Sequence, residues 1–288
     1  MAVDTAYTPA PETKVARSTK RPRGPIRWVR EHIIAIIGSL VLLYMFLPIF
    51  VVILFSFNTP TGRFNYTWTY NPSIEAWTNL CAPGGMCEAL KLSLAIGLLA
   101  TLGAVILGTL VAFAIGRHRF RGRSATNLLI FMPMATPEVV MGSSLLTLFV
   151  ALSFARGLPT ILIAHIMFCL SFVVVTVKAR IAGLDPRLEQ AAMDLYADER
   201  TTFWKVTFPL VLPGIVGASL LAFSLSFDDF IVTNFNSGST VTFPMYVWGA
   251  AQRGTPPQIN VVGSLMFLVS LAIVLIAQVV QRRRAKKA

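Results

Sequence analysis

The sequence predicts an all-α integral membrane protein with six transmembrane helices. Hydrophobic residues make up 55% of the 288 residues and charged residues only 13%, whereas soluble domains carry about 25% charged residues. Apolar runs of about 20 residues, long enough to cross about 30 Å of hydrocarbon, recur along the chain. Because lipid offers no partner for backbone N–H and C=O groups, each run is expected to be a helix. The six runs are 33–57, 89–115, 126–152, 160–177, 210–233 and 261–280.

The placement of the basic residues predicts the orientation of these helices. The net charge is +12, and 21 Lys and Arg residues lie on the chain ends and alternate connections. The other side carries only Arg63, Arg156 and Arg253, with Lys91 just inside the second run. Since basic residues accumulate on the cytosolic side, we expect both termini and the 185–209 connection in the cytosol. No aromatic-interleaved basic surface accompanies the charge, so no nucleic-acid partner is predicted.

The chain is predicted to form one helical bundle. Residues 1–32 are interpreted as a basic cytosolic segment, 33–281 as the transmembrane domain and 282–288 as a basic cytosolic tail. The first run has about 25 uncharged residues and no small-residue cleavage site, which indicates a retained anchor rather than a cleaved signal. Small residues in the second run would let a neighbouring helix approach closely. They are Gly97, Gly103, Ala104, Gly108 and Ala112.

The third run contains two prolines, Pro133 and Pro137. Each proline lacks a backbone donor and disturbs the turn before it, so a broken helix is expected at membrane depth. Backbone groups freed in this way are tolerated where they are buried in protein or line a water-filled cavity, which makes this run a candidate for a transport path. A simple kink that improves packing is the alternative.

The three cysteines are expected in two different environments. Cys81 and Cys87 lie close together in the first outer connection, where an oxidising compartment would allow a disulfide. Two free thiols are the alternative. Cys169 lies within a run and is interpreted as a small packing residue. No Cys/His cluster has the spacing of metal ligands, so no metal site is predicted.

The connection 185–209, called the knob below, is more elaborate than a simple loop. Asp185 followed by Pro186 indicates a helix start, because the carboxylate caps free amides and proline loses no needed bond. Asp198 is expected to cap a second short helix that Pro209 ends, with a junction near 196–197. A membrane-surface hairpin that merely links two runs is the alternative. Apolar residues recur at intervals of three and four along the first helix, namely Leu184, Leu188, Ala191, Ala192 and Leu195.

The spacing within the knob resembles the coupling loop of ABC importer permeases, whose pattern is EAA, three residues, G, nine residues, I-x-L-P. In this chain the corresponding residues are Gln190-Ala191-Ala192, Tyr196, Val206, Phe208 and Pro209. Gln190 therefore stands in place of the glutamate and Tyr196 in place of the glycine. Residues 189–235, with MDL-A followed by SFDDF, and PEVVMG at 137–142 are similar to PotC-like permeases of spermidine/putrescine ABC importers.

This resemblance implies a type I ABC importer permease fold, also called MetI-like, and a non-catalytic role in uptake. The implied partners are a second, PotB-like permease subunit, a dimer of ATPase subunits and an external solute-binding protein. The chain has no G-x-x-x-x-G-K-[ST] loop, so ATP and Mg²⁺ are expected on the ATPase and no cofactor is expected in this chain. The residues implied to couple to the ATPase are Gln190, Ala191, Ala192, Asp194, Leu195, Tyr196 and Ala197.

Three acidic residues fall within the apolar runs: Glu138, Asp228 and Asp229. An ionised carboxylate near the bilayer centre costs about 3 kcal/mol, so such residues usually face a partner, a cavity or a substrate. Protonated amines of a polyamine would pair with them, and these acids are the candidate substrate-path residues. Neighbours in a helix point about 100° apart, so one aspartate is expected to face the path and the other a neighbouring helix or the headgroup zone. His165, in the fourth run, has no evident charged partner and is interpreted as a hydrogen-bonded packing residue, with a proton relay as the alternative.

Other functions compatible with three membrane acids are an ion-coupled secondary carrier, a channel, or an ABC permease for a different small solute. A carrier or channel would bind protons or sodium on the same acids and would need no ATPase. Inverted repeats would favour a carrier, and none is recognisable. A membrane-embedded enzyme would need a nucleophile, a base and an orienting group, and the sequence shows no such set.

Overall fold

The computed structural model describes residues 25–60, 71–118 and 120–285, and these residues are mainly helical. Within them the only β-type pairing is an isolated bridge between Asn58 and Pro72. The helices are α1 (Pro25–Ser56), α2 (Glu75–Thr78), α3 (Met86–Arg117), α4 (Arg123–Ala135), α5 (Glu138–Ala151), α6 (Leu158–Ala182), α7 (Arg187–Asp194), α8 (Glu199–Thr202), α9 (Phe208–Asp228), α10 (Ile231–Asn236), α11 (Phe243–Arg253) and α12 (Pro257–Ala285), with a π-helical turn (Phe203–Thr207) between α8 and α9.

The chain divides into two compact units, Met1–Val51 and Val52–Ala288. In the first unit the described part is the N-terminal portion of α1, which begins at Pro25, before the predicted start at residue 33. Residues 1–24 of the predicted basic segment 1–32, residues 286–288 of the predicted tail 282–288, and Arg63 lie outside the described residues. The second unit contains all the other helices.

Helices α3, α6 and α9 pack against one another and form the centre of the second unit. Small residues of α3 make the close approach to α6 feasible. A Cβ atom added at Gly108 would lie 2.7 Å from Val173 Cγ1, and one added at Gly103 would lie 2.9 Å from Ile166 Cδ1. These distances are shorter than van der Waals contact, so the close packing predicted for the second run is confirmed.

Five described helices are long and apolar enough to span a membrane, and the bent pair α4–α5 makes a sixth span if counted as one. The two members of this pair meet at 106°. Pro137 precedes the first residue of α5, and the residue before a proline is driven out of the helical conformation. Thr136 is accordingly extended, so the break predicted in the third run is confirmed.

The fifth span differs from its prediction at both ends. It was expected to be continuous over 210–233, but α9 ends at Asp228 and the chain restarts as α10 at Ile231. Pro209 was expected to end the second short helix of the knob, and this prediction is wrong. Instead α8 continues through the π-helical turn into α9, with Pro209 in the first turn of α9. The wider π turn, with Phe208 N–H bonded to the Phe203 carbonyl, relieves the clash that a proline ring makes in a regular α-helix.

The segment before α3 is closed by a disulfide between Cys81 and Cys87, whose Cα atoms are 5.4 Å apart. Gly85 lies inside this ring with a φ of 77°, a left-handed conformation that glycine adopts without strain. Cys169 is buried, and its thiol contacts the Ala222 carbonyl of α9 at 3.4 Å. It therefore packs between α6 and α9.

Candidate functional site

The break between α9 and α10 is organised by the Asp229 carboxylate. Oδ2 accepts hydrogen bonds from the backbone N–H and the side-chain hydroxyl of Thr233, both at 2.7 Å. Oδ1 accepts from the backbone N–H of Val232 at 3.3 Å. These are the free amides of the first turn of α10, which a carboxylate stabilises best. Asp229 is only 9% exposed, so its carboxylate lies inside the protein.

His165 on α6 completes this buried arrangement. Its Nδ1 lies 2.7 Å from Ser226 Oγ, and its Nε2 lies 2.8 Å from Thr233 Oγ1 and 3.3 Å from Asp229 Oδ2. The expectation that His165 lacks a charged partner is therefore wrong. Sequence patterns could not reveal the partner, because the break after α9 turns Asp229 back towards a helix that is distant in sequence. We call His165, Ser226, Asp229 and Thr233 the Asp229 cluster.

The other two membrane acids are exposed on the described chain. Asp228 is the last residue of α9, directly before the buried Asp229. Glu138 is the first residue of α5, directly after the break at Thr136 and Pro137, where free amides stabilise a carboxylate. In the described part of the chain neither carboxylate forms a side-chain hydrogen bond or a salt bridge. Each acid thus marks a helix break and is exposed in the described structure.

Packing of α10 against α5 brings the two broken spans together. A Cβ atom added at Gly142 would lie 2.9 Å from Phe235 Cδ2 and 3.3 Å from Val232 Cα. The side-chain amide of Asn236 donates to the Gly142 carbonyl at 3.3 Å. The helix that carries Glu138 is therefore fixed to the short helix that follows Asp228.

The knob has the two helix starts that its sequence predicts. Asp185 Oδ1 accepts from the backbone N–H of Arg187 at 2.9 Å, at the start of α7. Asp198 Oδ1 accepts from the backbone N–H of Thr201 at 3.1 Å, in the first turn of α8. Hydrogen bonding to Thr201 lowers the pKa of Asp198. The caps hold the knob as two short helices with a turn between them.

Tyr196 occupies that turn in a left-handed conformation, with a φ of 63°. This is the position at which the coupling pattern has glycine, and the turn is still closed by a bond from Ala197 N–H to the Ala192 carbonyl at 3.2 Å. The side chain of Tyr196 is fully exposed and Leu195 is 82% exposed. Ala191, Leu188 and Met193 are exposed as well, so the tip of the knob is an apolar surface that the described part of this chain leaves uncovered.

The base of the knob is attached to α3 by an ion pair that sequence patterns did not predict. Arg117 Nη1 donates to Glu189 Oε2 at 2.8 Å, and a second bond joins Nη2 to Oε1. Thr207, in the π-helical turn, donates through Oγ1 to Glu189 Oε1 at 2.5 Å. The Arg117 guanidinium holds the pKa of Glu189 below its usual value, and the Thr207 bond adds to this effect. Glu189 therefore connects α7 to two spans, one of which carries Asp228.

Among known proteins, residues 104–287 match the family described as "Binding-protein-dependent transport system inner membrane component". The "Spermidine/putrescine transport system permease protein PotC" of Haemophilus influenzae is 35% identical over 241 residues, which cover 83% of this chain and 93% of that protein. The "Putrescine transport system permease protein PotI" of Escherichia coli K12 is 36% identical over 231 residues, covering 77% of this chain and 81% of that protein.

Solved structures of low sequence identity share the fold. A bacterial ABC transporter involved in the import of alginate has a chain that aligns with a TM-score of 0.63 at 16% identity, covering 90% of this chain and 98% of that chain. A chain of an amino acid ABC transporter aligns with a TM-score of 0.54 at 16% identity, covering 72% of this chain and 95% of that chain. Both support the MetI-like permease fold that the sequence predicts.

Proposed function

The chain belongs to the family of binding-protein-dependent transport system inner membrane components, and we propose that it forms half of the translocation path of an ATP-driven importer for polyamines. As a member of this family it is a multi-pass inner membrane permease and not the ATP-hydrolysing subunit. Family membership also decides against an ion-coupled carrier.

The observation that carries the cargo proposal is an exposed acid at each of two adjoining helix breaks. Asp228 ends α9 and Glu138 begins α5, and the elements beside them pack together through Gly142 and Asn236. A carboxylate at membrane depth that lacks a protein partner suits a cationic ligand, because pairing removes the cost of the isolated charge. Two separated carboxylates fit a cargo with at least two separated ammonium groups, such as putrescine or spermidine.

Asp229 has a different role in this proposal from the one its sequence position suggests. Its two oxygens are occupied by Val232, Thr233 and His165, so it supports the helix break while Asp228 meets the cargo. The relatives named for spermidine and putrescine transport support the cargo class.

The knob is proposed as the docking element of an ATPase dimer that binds ATP and Mg²⁺. Its exposed tip residues, Leu195 and Tyr196, would enter a groove of the ATPase together with the small side chains of Ala191 and Ala192. Small side chains permit close seating of a helix on its partner. Gln190, Asp194 and Ala197 would lie along the same contact, and a second, PotB-like permease and an external solute-binding protein would complete the importer.

The orientation of the chain in the membrane follows from the proposed docking of the knob on the ATPase. With the knob in the cytosol, both chain ends are cytosolic and the Cys81–Cys87 disulfide lies on the outer side, where an oxidising compartment preserves it. The distribution of Lys and Arg supports this orientation independently.

Uptake by the complete importer tests the proposal. Cells that express it should accumulate labelled spermidine or putrescine, and unlabelled polyamine should compete while an uncharged sugar should not. Asp228→Asn should raise the KM, whereas Glu88→Gln, which removes an exposed acid far from either break in sequence, should not. Uptake of an uncharged or anionic solute that is indifferent to Asp228→Asn would overturn the polyamine proposal.

A further inference from the structure

A buried imidazole connects three helical elements around the break in the fifth span. His165 is 2% exposed, and its two ring nitrogens contact Ser226 on α9, Thr233 on α10 and Asp229 at the junction. Because the Thr233 hydroxyl donates to Asp229, Nε2–H of His165 is the donor towards Thr233 and Asp229, and Nδ1 lies within hydrogen-bond distance of the Ser226 hydroxyl. In this arrangement each polar group of the Asp229 cluster has a partner, as burial at membrane depth requires.

Hydrogen bonds also connect α10 to α6 and to the other broken span, which consists of α4 and α5. Thr160 on α6 donates to the Asn236 carbonyl at 2.7 Å, and the Asn236 side chain donates to the Gly142 carbonyl of α5. There is no room for a side chain at Gly142, because the Phe235 ring and the Val232 backbone lie against it. Glu138 lies one helical turn before Gly142, so its place depends on the same short helix.

We propose, on the basis of the function proposed above, that His165 is a positioning residue for cargo binding. Through Asp229 and α10 it holds the two helix breaks in the arrangement that presents Asp228 and Glu138 to the cargo. His165 does not touch the cargo itself, since it is buried between α6, α9 and α10. Loss of its hydrogen bonds should change where the two acids lie without changing their charge.

Three variants in the assembled importer separate positioning from general packing. His165→Leu keeps the volume but removes both polar contacts, and should raise the KM for spermidine at least about tenfold with little change in Vmax, since small misplacements at a binding site are costly. His165→Gln retains a donor and an acceptor and should restore the KM to within about threefold of the wild type. Cys169→Ala is the matched control, because it changes a neighbouring α6–α9 contact outside the cluster and should leave the KM unchanged.

A second readout does not depend on which cargo the importer carries. In a Cys169→Ala background with Glu138→Cys, the rate at which an impermeant maleimide labels residue 138 reports the position of α5. His165→Leu should change this rate at least about threefold and His165→Gln should not, because only the leucine releases α10. If His165→Leu does not assemble, Ser226→Ala removes a single bond to the imidazole and should raise the KM about fivefold.

The outcomes distinguish the two proposals. If the wild-type importer does not transport polyamines, the polyamine proposal fails, and the labelling of residue 138 still decides whether His165 positions α5. If polyamines are transported but the assembled His165→Leu or Ser226→Ala importer keeps the wild-type KM and labelling rate, the positioning role is wrong. A fall in Vmax in proportion to the amount of assembled complex, at unchanged KM, would also contradict it.

Discussion

The Asp229 cluster and the tip of the knob differ in how far this chain alone completes them. In the cluster, His165 and Asp229 are buried and hydrogen-bonded to side chains and amides of the same chain. At the tip of the knob, Leu195 and Tyr196 are exposed and covered by nothing in the described part of the chain. The first region is completed by contacts within this chain, whereas the second presents exposed apolar surface of the kind that marks interaction sites.

Because of this difference, we expect mutations in the two regions to change transport in different ways. Changes near the cluster should alter how well cargo is held, because the acids beside it are positioned from within the chain. Changes in the knob should alter how movement of the ATPase reaches the spans. Glu189 connects the two effects structurally, because it joins α7 to α3 through Arg117 and to the base of α9 through Thr207.

The largest effect is expected from a charge placed on the apolar surface of the knob. Ala191→Arg should reduce uptake at least about 100-fold, because burying an unpaired charge against the ATPase costs about 3 kcal/mol or more. Co-purification of the ATPase should fall in parallel while the permease still inserts in the membrane. Ala251→Arg, at an exposed position on α11, is the control. It should retain both uptake and co-purification of the ATPase. Full uptake by Ala191→Arg would contradict the docking role.

A smaller effect is expected when the ion pair between Arg117 and Glu189 at the base of the knob is removed. Glu189→Gln removes the charge that pairs with Arg117, and should lower Vmax about three- to tenfold at unchanged KM. Since exposed ion pairs contribute only about 0.2–1 kcal/mol, thermal stability should hardly change. The exchanged pair Arg117→Glu with Glu189→Arg should recover part of the loss. A large drop in stability with no change in transport rate would show that the pair is only structural.

The pH dependence of this connection follows from the direction of the pKa shift. The Arg117 guanidinium lowers the pKa of Glu189 from its ordinary value of 4.5, so the interaction is fully present above that value. It is lost only as the pH falls through the lower pKa of the folded protein. The ratio of wild-type to Glu189→Gln uptake rates should therefore stay constant from about pH 8 to about pH 5.5. A ratio that falls to one near pH 6 would be incompatible with this shift.

The smallest effect is expected at Tyr196. A left-handed φ costs a non-glycine residue about 1 kcal/mol, so Tyr196→Gly should raise the melting temperature of the purified permease by about 2 °C. Tyr196→Ala loses the same aromatic ring without gaining backbone freedom and should show no such rise. Equal melting temperatures for the two variants would mean that the turn is not strained.

The knob was largely predictable from sequence because its signals are local. Asp185 and Asp198 are caps that act within three residues, and the spacing around Tyr196 identifies the turn. The break in the third span was predictable for the same reason, since Pro137 acts on the residue before it. The continuation of α8 into α9 was missed because a π-helical turn, which accommodates Pro209, has no recognisable sequence pattern.

The Asp229 cluster could be predicted only in part. The cost of acids at membrane depth identified Asp228, Asp229 and Glu138 as candidates. The rotation of about 100° between neighbouring residues of a helix predicted that the two aspartates face different surroundings. Which aspartate turns inwards depends on His165, and a contact between residues 64 positions apart leaves no local pattern. The pairing of Arg117 with Glu189, across 72 positions, was missed for the same reason.

Spermidine uptake by the reconstituted importer, measured over a range of concentrations for Asp228→Asn and Glu189→Gln side by side, tests the central claim most directly. Asp228→Asn should raise the KM about 10- to 100-fold at nearly unchanged Vmax, since a hydrogen bond to a charged group contributes about 1.5–3 kcal/mol. Glu189→Gln should lower Vmax and leave the KM unchanged. An unchanged KM in Asp228→Asn, or a KM effect in Glu189→Gln equal to that in Asp228→Asn, would contradict the division between a cargo-holding region and a coupling region.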